Sequence, residues 1–163
     1  MTLRKGTTAV IGLMLKTEFQ YVGLCYDGYP EHAGRVLMQS YRRVENLYDL
    51  LNRGNVYHLE NDLNSCIFVP HAYPHLGSAN AMKKAPPDWK RLRVFVEKNV
   101  VDFVYGMSYQ DQEWSMIAKF PLNWWVKDRV EGLWDRERIG QDSLSEVLRN
   151  EDYFTWWVSK YRR

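Results

Sequence analysis

The chain has two cysteines in 163 residues, Cys25 and Cys66, and no C-x-x-C. Two distant thiols exclude a disulfide framework, and a structural zinc site would have to draw on histidine. Free thiols fit a reducing cytosol. Long apolar runs are also missing. Nothing approaches 18 residues, so no segment is expected to span a membrane. The apolar stretch Ala9–Leu15 is short, has no A-x-A-like cleavage site and reads as a strand rather than a signal peptide. Charge of one sign is scarce: 22 Lys and Arg face 20 Asp and Glu, a net +2. That balance excludes an acidic nucleic-acid mimic and demands no polyanionic partner. No phosphate loop, dinucleotide fingerprint, G-x-S-x-G elbow or zinc-deaminase signature occurs, which argues against the common nucleotide and hydrolase classes. No cofactor is implied.

What is present is an ordinary globular balance, 45% hydrophobic and 26% charged, at a length suited to one domain with a terminal extension. Aromatic residues reach 15%, with seven Trp and eleven Tyr, so aromatics are expected to dominate the core or an interface. Ala9–Leu15 and Tyr21–Tyr26 read as neighbouring strands. From Pro30 the period becomes helical, with Ala33, Val36, Leu37, Ser40 and Tyr41 on one face. Val44, Leu47, Leu50 and Leu51 form a second stripe that Gly54 terminates, so a joint falls near Ser40–Arg43. Ile67–Val69 is a short strand candidate, and the proline-rich stretch after it reads as loop. Val100–Tyr109 and Glu113–Phe120 alternate as a hairpin. Beyond Pro121, Leu122, Trp125, Val126, Val130, Leu133 and Trp134 fit a helical face; Asp142 or Ser143, with Glu146, can cap a last helix. The expected class is α+β: a small antiparallel sheet with helices on one face (residues 1–120), then a helical, Trp-rich C-terminal extension (residues 121–163).

The tract Cys25-Tyr26-Asp27-Gly28-Tyr29-Pro30-Glu31-His32-Ala33-Gly34 concentrates reactive side chains. Each also has a structural use. Gly28 can take positive φ in a turn, Pro30 suits the first helical position, and Glu31 suits the positive end of the helix dipole. The chemical alternative is a Cys25 nucleophile or ligand partnered by His32, as in a small hydrolase or transferase. This tract, with Leu37, Tyr41 and Val44–Gly54, resembles a largely uncharacterised family of phages and integrated elements. That family carries Cys-His-Trp-Asp-Gly-Tyr-Pro-Glu-x-x-Gly at a strand end, followed by two helices. Asp102–Lys119 resembles the family's later strand pair. Cys25 stands where the family often has His, and Tyr26 where it has Trp. The resemblance implies a phage or mobile-element context and no catalytic assignment.

Three further constellations bear on function. His71 and His75 are spaced i, i+4 but sit among prolines without an H-E-x-x-H pattern, so no metal site is assigned. Lys83–Lys98 holds six basic and two acidic residues; Lys83, Lys84, Lys90, Arg91 and Arg93 could meet phosphates while Trp89 stacks on a base. Its alternative is a solvated loop leading into a strand. Residues 121–163 hold five of the seven Trp with eight Lys and Arg against eight Asp and Glu, the composition of a protein contact surface rather than a basic membrane helix. Adjacent pairs cannot share a face, so one each of Trp124/Trp125 and Trp156/Trp157 is expected to be exposed or to meet a partner. Trp124, Trp125, Arg129, Trp134, Trp156, Trp157 and Tyr161 are the interface candidates. The leading expectation is a cytoplasmic phage or mobile-element protein that binds, and inhibits or redirects, a host defence or regulatory protein. Homo-oligomer formation is subsidiary, and nucleic-acid binding is the alternative.

Overall fold

A computed structural model describes residues 8–69, 81–98, 100–120 and 138–150. The first two apolar runs form β1 (Ala9–Met14) and β2 (Phe19–Leu24), paired antiparallel from Ala9 opposite Leu24 to Met14 opposite Phe19. A turn closed by Leu15 N–H on the Glu18 carbonyl (2.9 Å) joins them. A five-residue π-turn at Pro30–Gly34 leads into α1 (Arg35–Ser40), and α2 (Val44–Asn52) follows. After β3 (Val56–His58) and β4 (Ile67–Phe68) come β5 (Lys83–Ala85) and α3 (Trp89–Glu97). Next are the hairpin β6 (Phe103–Ser108) and β7 (Trp114–Phe120), then β8 (Arg138–Ser143) and α4 (Leu144–Leu148).

The class is α+β, built on one eight-stranded sheet in the order β4-β3-β2-β1-β6-β7-β8, with β5 also on β2. The outer edge of β2 is thus divided: Phe19–Tyr21 pair with β5, and Leu24 pairs with Val56 of β3. The sheet is mixed rather than antiparallel, because β1 runs parallel to β6 and β2 parallel to β3. A parallel pair needs a long crossover, and hydrophobic periodicity registers only the strands it joins.

Side-chain alternation sorts the core into two layers. Ala9, Ile11 and Leu13 of β1, Phe103, Tyr105 and Met107 of β6, and Trp114, Met116 and Ala118 of β7 face α1, α2 and α4. Val10, Phe19, Val104 and Ile117 face the other way, onto Leu92 and Val96 of α3. Helices therefore cover both faces, not one. The second half of the basic stretch, whose alternative reading was a solvated loop, is this second-face helix, and its first half is β5. Asp88 caps the helix, accepting the Lys90 N–H at 2.9 Å, so the helix starts directly after Pro86 and Pro87. The central strands β1 and β6, covered on both sides, are almost continuously apolar. Their glycines, Gly12 and Gly106, lie side by side. A Cβ on Gly12 would come 2.4 Å from the Phe19 ring, and one on Gly106 2.6 Å from Trp89 Cη2, so both positions form a floor for aromatic rings.

The helix joint falls where expected, and the β6–β7 hairpin clamps it. Trp114 Nε1 donates to the Tyr41 carbonyl (3.0 Å), and the Gln112 side-chain carbonyl accepts the Val44 N–H (2.9 Å), capping α2 from 68 residues away. Gly54, at φ 89°, ends the second stripe as expected. The segment after residue 121 is not helical throughout: Arg138–Ser143 extends the sheet on β7. Ser143 does precede the last helix, but its hydroxyl lies 3.0 Å from Ser145 Oγ and forms no capping box. Leu144 of α4 sits over Gly34, where a Cβ would be 3.0 Å away, so the C-terminal strand and helix belong to the same body as the π-turn.

Candidate functional site

The parallel β2–β3 pair brings the carboxyl ends of both strands to one place, with Cys25 N–H donating to the Val56 carbonyl at 2.9 Å. The tract from Cys25 to Gly34 leaves from that corner. Its left-handed residue is Asp27, at φ 57°, and not Gly28 as the turn chemistry suggests. Aspartate is among the few residues that tolerate this region. Gly28 is buried, and its carbonyl accepts the Tyr105 hydroxyl at 2.7 Å. Tyr105 is wholly buried, and burial, followed by the nearby Glu31 carboxylate, holds its phenol well above the ordinary tyrosine range. A neutral, fixed donor under Gly28 results. Tyr29 precedes the helical turn with extended backbone, and Pro30 takes the first position, as expected. The turn is a π-turn: Arg35 N–H reaches the Pro30 carbonyl.

His32 does not serve as partner to the thiol through its Nε2. That nitrogen lies 3.0 Å from the Leu59 carbonyl, which can only accept, so Nε2 carries a proton and ties the turn to the segment after β3. Cys25 is half-buried, and burial pushes its thiol pKa up, away from the thiolate that a nucleophile needs. Glu31 is exposed in the first turn. Cys66, by contrast, sits in a backbone pocket. Its thiol accepts from Glu60 N–H (3.2 Å), contacts the Glu60 carbonyl (3.4 Å) and lies 3.5 Å from the Tyr41 hydroxyl. Burial, then Cys66, raises the Tyr41 phenol.

His58, isolated in the sequence, is brought to this corner. Its Nδ1 lies 3.9 Å from Asp27 Oδ2; its ring stacks on Tyr26 (5.5 Å between centroids), and Tyr57 meets it edge-on (5.0 Å). The separation exceeds hydrogen-bond reach, and the Asp27 and His58 side chains are 45% and 41% exposed. Even with His58 protonated, a pair so exposed contributes little, about 0 to 1 kcal/mol. No local signal in the sequence places His58 here, because only the pairing of β2 with β3 brings it to this corner. Among the described residues, no group of three His, Cys, Asp or Glu is placed to hold a metal ion.

The basic segment divides in two. Lys84 pairs with Gln20 across β2 and its Nζ lies 3.6 Å from Glu18, whereas Lys83 pairs with Tyr21 and shares the α3 side of the sheet. On α3, Lys90 and Arg91 are exposed, Arg93 is half-buried, and Arg91 Nε lies 3.8 Å from Asp88. Trp89 is a packing residue: it tilts against Phe19 (6.5 Å) and its ring tip lies over Gly106. It is half-buried rather than a free stacking platform. Trp124, Trp125, Arg129, Trp134, Trp156, Trp157, Tyr161, His71 and His75 lie outside the described residues.

No protein-family model, curated protein or solved structure matches the chain. Among the described residues no helix is long and apolar enough to cross a membrane.

Proposed function

We propose that the protein is a phage or mobile-element accessory factor that works by binding a host protein and thereby inhibits or redirects it. The observation that carries this reading is the use made of the one reactive tract. Tyr105 holds Gly28, His32 holds Leu59, Pro30 starts the helical turn, and burial raises the pKa of the Cys25 thiol. Among the described residues no hydrogen bond links Cys25 to Asp27, Glu31 or His32, so the tract holds no nucleophile–base pair, and this supports binding over catalysis. The Trp-rich, charge-balanced segment 121–163 has the composition of a contact surface. The phage setting and the host-cell cytoplasm come from the resemblance of the D-G-Y-P-E tract.

The test is affinity capture from host lysate with mass spectrometry, using wild type, Cys25→Ala/Asp27→Asn, and Trp156→Ala/Trp157→Ala. The expected result is one saturable host partner that is kept by the tract variant and weakened by the tryptophan variant. Absence of any saturable partner, or biological activity lost with the tract variant while its fold and binding persist, would overturn the reading in favour of a small hydrolase or transferase.

A further inference from the structure

Helix α3 divides its residues sharply. Leu92 and Val96 are buried, and Trp89 and Phe95 are packed at the margins against Phe19 and Tyr21. The opposite arc carries Lys90, Arg91, Val94, Glu97 and Lys98, all exposed. At 3.6 residues per turn, Val94 lies one turn after Lys90 and one before Lys98, with Arg91 beside it. Val94 is 39% exposed, an apolar centre with three cations around it and one carboxylate, Glu97, on its flank. Half-buried Arg93 borders the arc. The second acid of the segment, Asp88, is already engaged by the Lys90 N–H and the Arg91 guanidinium.

A purely electrostatic phosphate site gains nothing from an exposed valine, and base stacking needs an aromatic face that Trp89 has already committed to Phe19 and the Gly106 floor. An apolar centre with a cationic rim fits instead a protein surface of the complementary kind. We infer that the outward arc of α3 (Lys90, Arg91, Val94 and Lys98) docks an acidic protein segment that offers an apolar side chain to Val94 and carboxylates to the cations around it. This deepens the host-protein reading and rests on it. The arc meets the partner as a rigid element, because α3 is fixed by its packing on β6 and β7 rather than by the contact itself.

The experiment uses the full chain and two fluorescent probes: an amphipathic peptide of alternating Glu and Leu turns, and a single-stranded oligo-dT. Fluorescence anisotropy is read at low and at physiological salt. The peptide is expected to bind, more weakly as salt rises. Lys90→Glu/Arg91→Glu/Lys98→Glu is expected to weaken it by about tenfold or more, and Val94→Asp to weaken it severalfold, with unchanged thermal unfolding of both variants. A peptide no better bound than its Gln/Leu counterpart overturns the inference. So does oligo-dT binding that depends on the same cations and is indifferent to Val94→Asp, which would make the arc a nucleic-acid surface. Capture from lysate separates this inference from the reading beneath it. A host partner held equally by wild type and the charge-reversed chain removes the α3 arc while leaving host binding intact; no partner for wild type removes the broader reading.

Discussion

The tract Cys25–Gly34 and helix α3 carry similar densities of chemistry-bearing side chains and use them in opposite directions. In the tract, the histidine bonds to a neighbouring backbone, the thiol is half-buried, and a tyrosine from β6 secures the turn from below. In α3, Trp89, Leu92, Phe95 and Val96 are consumed by packing, while Val94 and the charges face water. A cluster of reactive residue types is a weak sign of chemistry when its histidine is spent on a backbone carbonyl and no base is bonded to its thiol. Exposed cations around an apolar side chain leave a surface whose complement must come from elsewhere.

The largest effect should come from the inner side of α3. Trp89→Ala is expected to cost about 3 kcal/mol, at the low end for a buried aromatic because the ring is half-exposed, read as a lowered urea midpoint. A near-neutral result would return Trp89 to the role of a free stacking platform. Tyr105→Phe should cost about 2 kcal/mol, because the buried Gly28 carbonyl loses its donor. Alkaline pH sharpens the same point. Burial raises the Tyr105 and Tyr41 phenols, so both stay protonated in the folded chain. The unfolded chain ionises near pH about 10. Stability should therefore be full below that value and fall as pH rises beyond it, less steeply in Tyr105→Phe, as chemical denaturation between neutral and alkaline pH would show. Asp27→Ala should cost about 1 kcal/mol at its left-handed φ, and Asp27→Gly should be within about 0.5 kcal/mol of wild type, because glycine adopts that backbone freely. Equal losses in the two variants would mean that the carboxylate beside His58, and not the backbone, is what the position requires. The smallest effect belongs to the outer arc: Lys90→Gln/Arg91→Gln/Lys98→Gln should leave thermal stability within about 0.5 kcal/mol.

Much of the fold's local structure was legible. The β1–β2 pair, the two helical stripes, the Gly54 stop and the β6–β7 hairpin all follow from local period and turn residues. The parallel pairings were not legible, because nothing near Leu24 announces Val56 and nothing in β1 announces β6. Helix α3 was hidden by its own cap: Pro86 and Pro87 belong to a proline-rich stretch that reads as loop, although proline followed by a capping aspartate is also how a helix begins. At the candidate site, Pro30 and Glu31 were readable as a helix start. The left-handed residue was misplaced by one position, since the turn chemistry favours Gly28 and only the chain path selects Asp27. His58 and Tyr105 were invisible as members of the site because tertiary pairing alone brings them there.

Self-association through the Trp-rich segment is a separate proposal that sedimentation decides: a concentration-independent monomer removes it. The central claim is that the reactive tract builds the protein and does not perform its function. The most direct test is a quantitative titration of the captured host partner against wild type and the triple variant Cys25→Ala/Asp27→Asn/His58→Gln, with unfolding followed in parallel. The account predicts an affinity within about threefold of wild type, as expected of a variant that removes no docking contact. A loss of about a hundredfold or more with the fold intact would contradict it, and would place the function at the corner where β2 and β3 end.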